Sequence, residues 1–401
     1  MGRRWRNPMK IQDLKSKFTE IFGEGDEPCI YFAPGRVNLI GDHTDYNGGH
    51  VFPCALTLGT YAVARRRPDR LLKLYSENFS SRGVFNSSLD DIEYSTEAEW
   101  TNYPKGVIWT FCKKGYPITS GLDLLFYGDI PGGAGLSSSA AIEVVTGLVL
   151  KDLFDIKDIS MEEIALLGQY SENHFNGMKC GIMDQFTSAM GKEGHALFLD
   201  TNTLEYEHVP VYLKNISIMI TNSKVKHSLV SSAYNDRRRE CEKGLNLLQK
   251  MIDINSLGDL NNEQFERYKV LIQDETLQKR VKHAVSENRR TVHALDALRS
   301  DDIQEFGRLM NKSHLSLRDD FEASCDEIDL LVKTAWELPG VIGSRMTGGG
   351  FGGCTVSLVK KRNRNLFKSK LTAVYQEAFG LQPEFYEVEI GGGAKKISDL
   401  A

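Results

Sequence analysis

The chain has 401 residues, a formal net charge of −5, 41% hydrophobic and 26% charged residues, and a pI near 6.0. That length exceeds the roughly 250–300 residues at which a single core stops growing, so two domains are expected. The composition excludes wholesale disorder, and the acidic balance argues against a general nucleic-acid binder.

Residues 1–8 read as a loose extension. Arg3, Arg4 and Arg6 are followed by no apolar stretch, so no secretory leader is expected. Gly2 suggests myristoylation, but Arg6 stands where Ser or Thr is required. Ile11, Leu14, Phe18, Ile21 and Phe22 recur at helical spacing and predict a helix over 9–23. Strands are predicted at 29–33, 51–65, 71–75 and 122–127, where β-branched, aromatic and aliphatic residues lie between turn signals. Helices follow at 137–154 and 161–175. A strand at 216–221 precedes a long charged region, 226–338, read as largely helical with a solvated face. Strands return at 354–359 and 385–390, with a helix at 364–379 between them. The strand-rich first half and helix-rich second half suggest two α+β domains, 9–210 and 211–401.

Seven scattered cysteines with no C-x-x-C spacing offer no zinc knuckle or redox pair and suit a reducing cytoplasm. No stretch approaches the ~18 apolar residues of a membrane span. Neither a nucleic-acid nor a membrane partner is expected.

Glycine is over-represented, and sixteen of the 36 fall in four short clusters at 35–49, 132–135, 343–353 and 391–393. Glycines so gathered are expected where backbone must approach a ligand closely. Residues 131–139, Pro-Gly-Gly-Ala-Gly-Leu-Ser-Ser-Ser, follow a predicted strand and open a predicted helix. Glycine permits close approach of a ligand, and a helix N-terminus offers unpaired N–H groups to an anion, for which phosphate is the natural occupant. The serines can cap the helix or hold a metal. No Walker A sequence occurs, nor the segments of a protein kinase. The G-x-G-x-x-G match at 348–353 lies near the C-terminus, which does not suit a dinucleotide fold.

Residues 35–49 place Asp42, His43 and Asp45 within four positions. Two carboxylates that each accept hydroxyl hydrogens suit a polyol, whereas carboxylates with imidazole suit a metal, and a polar turn explains one of the three. Asp184, in Cys-Gly-Ile-Met-Asp-Gln-Phe, is either a placed acid or base, or a helix cap. The triplet Arg237, Arg238, Arg239 reads as a helix face, and Cys180, Cys354 and His174 as structural.

Together these segments resemble the three signature motifs of the GHMP small-molecule kinases, and 35–49 is similar to the signature of the galactokinase family. The resemblance implies an α+β, two-domain GHMP kinase fold with the active site in the cleft between the domains. It also implies ATP-dependent phosphorylation of galactose at its C1 hydroxyl, with Mg²⁺ accompanying ATP. Residue by residue, Asp42, His43, Thr44 and Asp45 match sugar contacts, as do Gly181, Asp184 and Tyr234. Asp184 matches the catalytic aspartate and Arg36 the arginine facing it. Gly133, Ala134, Gly135, Leu136, Ser137, Ser138 and Ser139 match the triphosphate loop, Ser76 a further nucleotide contact, and Ser139 and Glu172 the magnesium ligands. The family most often carries glutamate where this chain has Asp42. Asn47, Gly48 and Gly49 look more like galactokinase than its N-acetylgalactosamine-kinase relatives. The intact Ser137–Ala141 run differs from catalytically silent galactose sensors. A cytoplasmic monomer is expected.

Overall fold

The computed structural model describes residues 11–131, 135–226 and 230–397. The N-terminal half is built on a six-stranded sheet whose strands run, in spatial order, 395–397, 29–38, 53–66, 122–128, 71–76 and 85–88. The pair 71–76/122–128 is parallel and the others antiparallel. Side chains on a strand alternate between the two faces. On one face Ile30, Val63, Tyr75 and Leu125 pack against Leu14 and Phe18 of the helix Ile11–Phe22. On the other, Tyr31, Ala33, Ala62, Ala64, Leu124 and Phe126 meet a layer of four helices. These are Asn102–Lys113, Ser138–Leu153, Met161–His174 and Met183–Met190. A three-stranded sheet, His50–Val51, His195–Asp200 and Tyr206–Pro210, completes this half.

The C-terminal half carries a four-stranded antiparallel sheet in the order 341–347, 352–360, 216–226, 384–388. Alternation again divides its faces. Met219 and Val359 turn to the helices Asp326–Trp336 and Arg364–Phe379. Ile218, Ile220, Val356 and Leu358 turn to a cluster that includes Phe306 and Met310 of the helix Ile303–Asp319. The same cluster contains Val37, Phe52, Cys54 and Leu136, so a continuous apolar core joins the halves. The helices Val230–Leu248 and Glu275–Arg299 form a further layer, with Cys241, Val281 and Val285 between them.

Four helices cover one face of the first half's main sheet, and the second half has a full sheet of its own. One reading of the sequence is corrected. The glycines at 391–393 do not meet ligand space. A side chain at Gly391 would lie 2.5 Å from the Leu56 carbonyl, and one at Gly393 would lie 2.5 Å from that of Ala189. They serve close backbone packing, with Gly391 N–H donating to Ala55 and Gly393 N–H to Gly191. The extension 1–8, with Met9, lies outside the described residues. Among the described residues no helix is long and apolar enough to cross a membrane.

Candidate active site

The strand Cys29–Asn38 loses register with its neighbour between Pro34 and Arg36, and such a bulge re-aims a side chain. Gly35 sits so close to the serine-rich loop that a Cβ there would lie 2.5 Å from the Leu136 carbonyl. That carbonyl accepts the Arg36 N–H at 3.1 Å. The buried Arg36 guanidinium then reaches Asp184 in a fork, Nε to Oδ1 at 2.8 Å and Nη2 to Oδ2 at 2.9 Å. Its third arm donates to the Gly135 carbonyl at 2.6 Å. Paired N–H···O bonds of this kind fix orientation as well as charge. Asp184 lies in the first turn of the helix Met183–Met190.

Ser137 precedes the helix Ser138–Leu153 in the left-handed region, φ 58°, and makes no side-chain cap. Its hydroxyl donates instead to Asp184 Oδ2 in a short hydrogen bond. The serine read as a cap or phosphate contact is therefore also a partner of the central carboxylate. With no side-chain cap, the helix's first N–H groups are left for an anion.

The loop 39–49 contributes a second wall. His43 adopts φ 62°, a backbone state that bulky residues hold only when their surroundings enforce it. Its ring lies 4.5 Å from Phe321 and 5.3 Å from Tyr234 between centroids, and Nδ1 is 2.7 Å from the Tyr46 hydroxyl. Burial lowers the imidazole to about 4, so it is neutral at neutral pH. Its Nε2 is buried with no hydrogen-bond partner among the described residues. Asp45 accepts the N–H groups of Tyr46 and Met183 at 3.0 and 3.4 Å. Burial first, then the Asp184 carboxylate, raises Asp45 to about 6. A side chain at Gly181 would run into the Asp45 carboxylate, its Cβ only 2.0 Å from Oδ2, which explains glycine there.

Asp42 is almost wholly buried, and both its oxygens are engaged. Oδ2 pairs with the fully buried Arg345 in a short ion pair, and Oδ1 accepts the Gly348 N–H at 3.1 Å. Thr44 is fully buried, its hydroxyl 2.8 Å from the Gly41 carbonyl and 2.7 Å from that of His50.

Glu172 ends the helix Met161–His174, whose start is capped by Ser160 accepting the Glu163 N–H. Burial and then Asp184 push its carboxyl up to about 7, against opposing hydrogen bonds with Glu143, Gln185 and Ser139. The fully buried Glu143 is raised well above the carboxylate range, chiefly by burial and then by Glu172.

These groups meet at one cavity of about 460 Å³. Of the residues singled out in the sequence, Arg36, Asp42, His43, Asp45, Gly181, Asp184 and Tyr234 line it, with Gly135, Leu136, Ser137, Ser138, Ser139 and Glu172. The run Gly348–Gly353 closes another side, and Tyr234 packs over Gly349, whose added Cβ would lie 3.3 Å from the ring. Thr44 and Ser76 are not in the cavity wall. Thr44 is turned onto its own loop, and Ser76 is buried at the end of the strand Leu71–Ser76. Gly133 and Ala134 lie outside the described residues. Arg237, read as a helix face, donates Nε to the Phe321 carbonyl at 2.8 Å and so braces the wall of the His43 pocket. Arg345, Glu143 and Gln185 were not singled out by sequence reasoning. Arg345 lies within a strand and carries no motif, but Glu143 stands four residues after Ser139 on an otherwise apolar helix face. That misplaced charge was a usable signal. Among the described residues no group of three or more His, Cys, Asp or Glu side chains could hold a metal ion.

Comparison with known proteins follows the same regions. Residues 16–66 match the galactokinase galactose-binding signature, 102–192 the GHMP kinases N terminal domain and 294–377 the GHMP kinases C terminal domain. The chain is 49% identical over 386 residues to a galactokinase of Bacillus subtilis, covering 96% of this chain and 99% of that one. It is 52% identical over 388 residues to one of Clostridium acetobutylicum, covering 97% and 99%. The crystal structure of Lactococcus lactis galactokinase complexed with galactose superimposes with a TM-score of 0.94, at 45% identity, covering 96% of this chain and all of that one. The mevalonate kinase of Methanococcus jannaschii, at 18% identity and TM-score 0.61 over 92% of this chain and 99% of its own, shares the fold.

Proposed function

The chain belongs to the galactokinase family of GHMP kinases, and from that premise we propose how its cavity transfers a phosphoryl group from ATP to galactose. It is an ATP-dependent sugar kinase that converts galactose and ATP to galactose 1-phosphate and ADP. The observation that carries the mechanism is the Arg36–Asp184 fork, set between the uncapped N-terminus of Ser138–Leu153 and the Asp42–Asp45 loop.

Phosphoryl transfer passes through a loose transition state, so catalysis consists mainly of positioning and charge stabilisation. The helix N-terminus and residues 135–139, with Gly133 and Ala134 from the same loop, receive the triphosphate. Asp45, His43, Asp42, Gly181 and Tyr234 hold the sugar. Asp184 orients the C1 hydroxyl and takes its proton as the bond to phosphorus forms. Arg36 keeps Asp184 in place and offsets negative charge on the group in transit. Ser137, by donating to the same carboxylate, fixes which Asp184 oxygen remains for the sugar.

Mg²⁺ suits the donor set beside this point. Glu172 and Ser139 offer hard oxygens of the kind Mg²⁺ prefers and would hold the ion beside the triphosphate. There it would supply positive charge to offset the negative charge on the phosphates. The two halves, 9–210 and 211–401, act as the domains flanking the site. Seven unpaired cysteines are consistent with a cytoplasmic protein.

The test is turnover with Mg·ATP on galactose against N-acetylgalactosamine. Galactose should be phosphorylated at C1 with the far higher kcat/KM. Binding of galactose and ATP without sugar phosphate, or preference for the N-acetylated sugar, would overturn the proposal.

A further inference from the structure

Behind the cavity wall lies a polar strut for which the transfer mechanism assigns no role. Glu143 stands one helical turn after Ser139, on the same face of Ser138–Leu153, and is fully buried. Gln185 follows Asp184 in Met183–Met190 and is also fully buried. Its Nε2 donates to Glu143 Oε2 at 2.9 Å and to Glu172 Oε2 at 2.8 Å. An amide nitrogen has two hydrogens, and each is used on a different carboxylate. One side chain thus ties together the three helices that carry Ser139, Glu172 and Asp184. Gly168 makes room for it: an added Cβ there would lie 3.2 Å from Gln185 Cγ and 3.6 Å from Glu143 Cβ.

Apolar side chains of similar volume would fill this space without the cost of burying carboxylates. Packing alone does not account for the strut. Its geometric consequence is that Glu172 Oε2 is held from behind, while Glu172 and Ser139 both face the cavity. We propose that Gln185, supported by Glu143, is a positioning residue for the cation that accompanies ATP, fixing one oxygen of Glu172 so that the other meets the ion. This rests on the assignment of Glu172 and Ser139 as cation ligands.

Mn²⁺ affinity of the ADP complex, measured by electron paramagnetic resonance, tests the two steps separately, with galactose binding followed calorimetrically in the absence of metal and nucleotide. Glu172→Ala should weaken Mn²⁺ binding strongly, and an unchanged affinity overturns the ligand assignment itself. Given that loss, Gln185→Met, which keeps volume but donates nothing, should weaken Mn²⁺ about 10–100-fold, the usual cost of removing a partner that orients a metal ligand. Galactose affinity should stay at the wild-type level. Gln185→Asn, too short to span both acids, gives the same reading should the methionine variant not fold. Glu143→Gln retains an acceptor for Gln185 and should bind Mn²⁺ as the wild type does. Wild-type Mn²⁺ affinity in folded Gln185 variants, or an equal loss of galactose affinity, overturns the proposal. A loss in Glu143→Gln as large as in Glu172→Ala overturns the supporting role of Glu143, since its charge would then be acting on the ion directly.

Discussion

At the scale of single residues, the central carboxylate is defined by its donors. Asp184 receives two hydrogen bonds from Arg36 and one from Ser137, so both of its oxygens serve as acceptors. Asp184→Asn keeps the size of the side chain, removes the proton acceptor and sets an amide NH2 against one of these donors. We expect kcat to fall by about 10²–10⁴, the usual contribution of a general base, while galactose binding persists. Retention of full activity in that variant would exclude Asp184 as the base. Asp45 carries a pH signature. Its carboxyl is raised from 3.8 to about 6 by burial and by Asp184, so the folded protein holds this proton more tightly than the unfolded chain. Its contribution therefore favours the fold at low pH and declines as pH rises from about 4 to 6, with no further change above that range. Asp45→Asn should accordingly raise the melting temperature of the ligand-free protein at about pH 7.5, by much less at about pH 4, and abolish high-affinity galactose binding. No stabilisation near neutral pH would mean that the acid is not strained. Asp42, His43, Asp45 and Asp184 were legible as dense polar residues in glycine-rich surroundings. The partnership of Ser137 with Asp184 was not, because it spans 47 positions and no local spacing encodes it.

At the scale of elements, periodicity read well wherever one face is buried. The helix Arg364–Phe379 has the bounds its pattern predicts, and Ile11–Phe22 ends one residue before its pattern does. The helix Asn102–Lys113 was hidden by Pro104 and Gly106. Proline is tolerated in a first turn, and the glycine is required by packing, since a Cβ there would lie 2.4 Å from Ser171 Oγ. The strand Val341–Thr347 was hidden for another reason: it is buried nearly throughout, so Ser344 and Arg345 interrupt any apolar run. Gly35 shows an element boundary that serves the site. It marks the bulge at which the strand Cys29–Asn38 touches the serine-rich loop, and Gly35→Ala would drive a methyl into the Leu136 carbonyl and Ile130, 2.5 and 2.9 Å away. The loop must shift to relieve this, and with it the Arg36–Asp184 fork. We expect kcat/KM for ATP to drop about tenfold or more, since small misplacements cost that much in a positioned reaction, while circular dichroism stays unchanged. Wild-type kinetics would mean that the loop absorbs the methyl freely.

At the scale of the whole molecule, the sugar loop belongs to the N-terminal half but is held by the C-terminal one. Glu287 accepts the Gly41 N–H at 3.0 Å, Asn288 accepts the His50 N–H at 2.8 Å, and Thr347 donates to the Asn38 carbonyl at 2.9 Å. Arg345 adds the buried pair with Asp42 and a bond to the Asn38 carbonyl. This division of labour was invisible in sequence, where the sugar signature looks self-contained. It gives the Asp at position 42 a physical setting, because a glutamate carboxylate would lie about 1.5 Å farther out, one C–C bond beyond the present reach to Arg345 and Gly348. Removing one partner of a buried pair leaves the other charge desolvated and unmatched, at a cost of about 3–5 kcal/mol. Arg345→Met should therefore lower the denaturant midpoint substantially and weaken galactose binding more than ATP binding, because it is the sugar loop that loses its anchor. Adding Asp42→Asn removes the orphaned charge. The double variant should then be more stable than the sum of the single losses predicts, by about 1–3 kcal/mol. Additive losses would instead mean that the two side chains act independently, and the sugar loop would have to owe its position to Glu287, Asn288 and Thr347 alone.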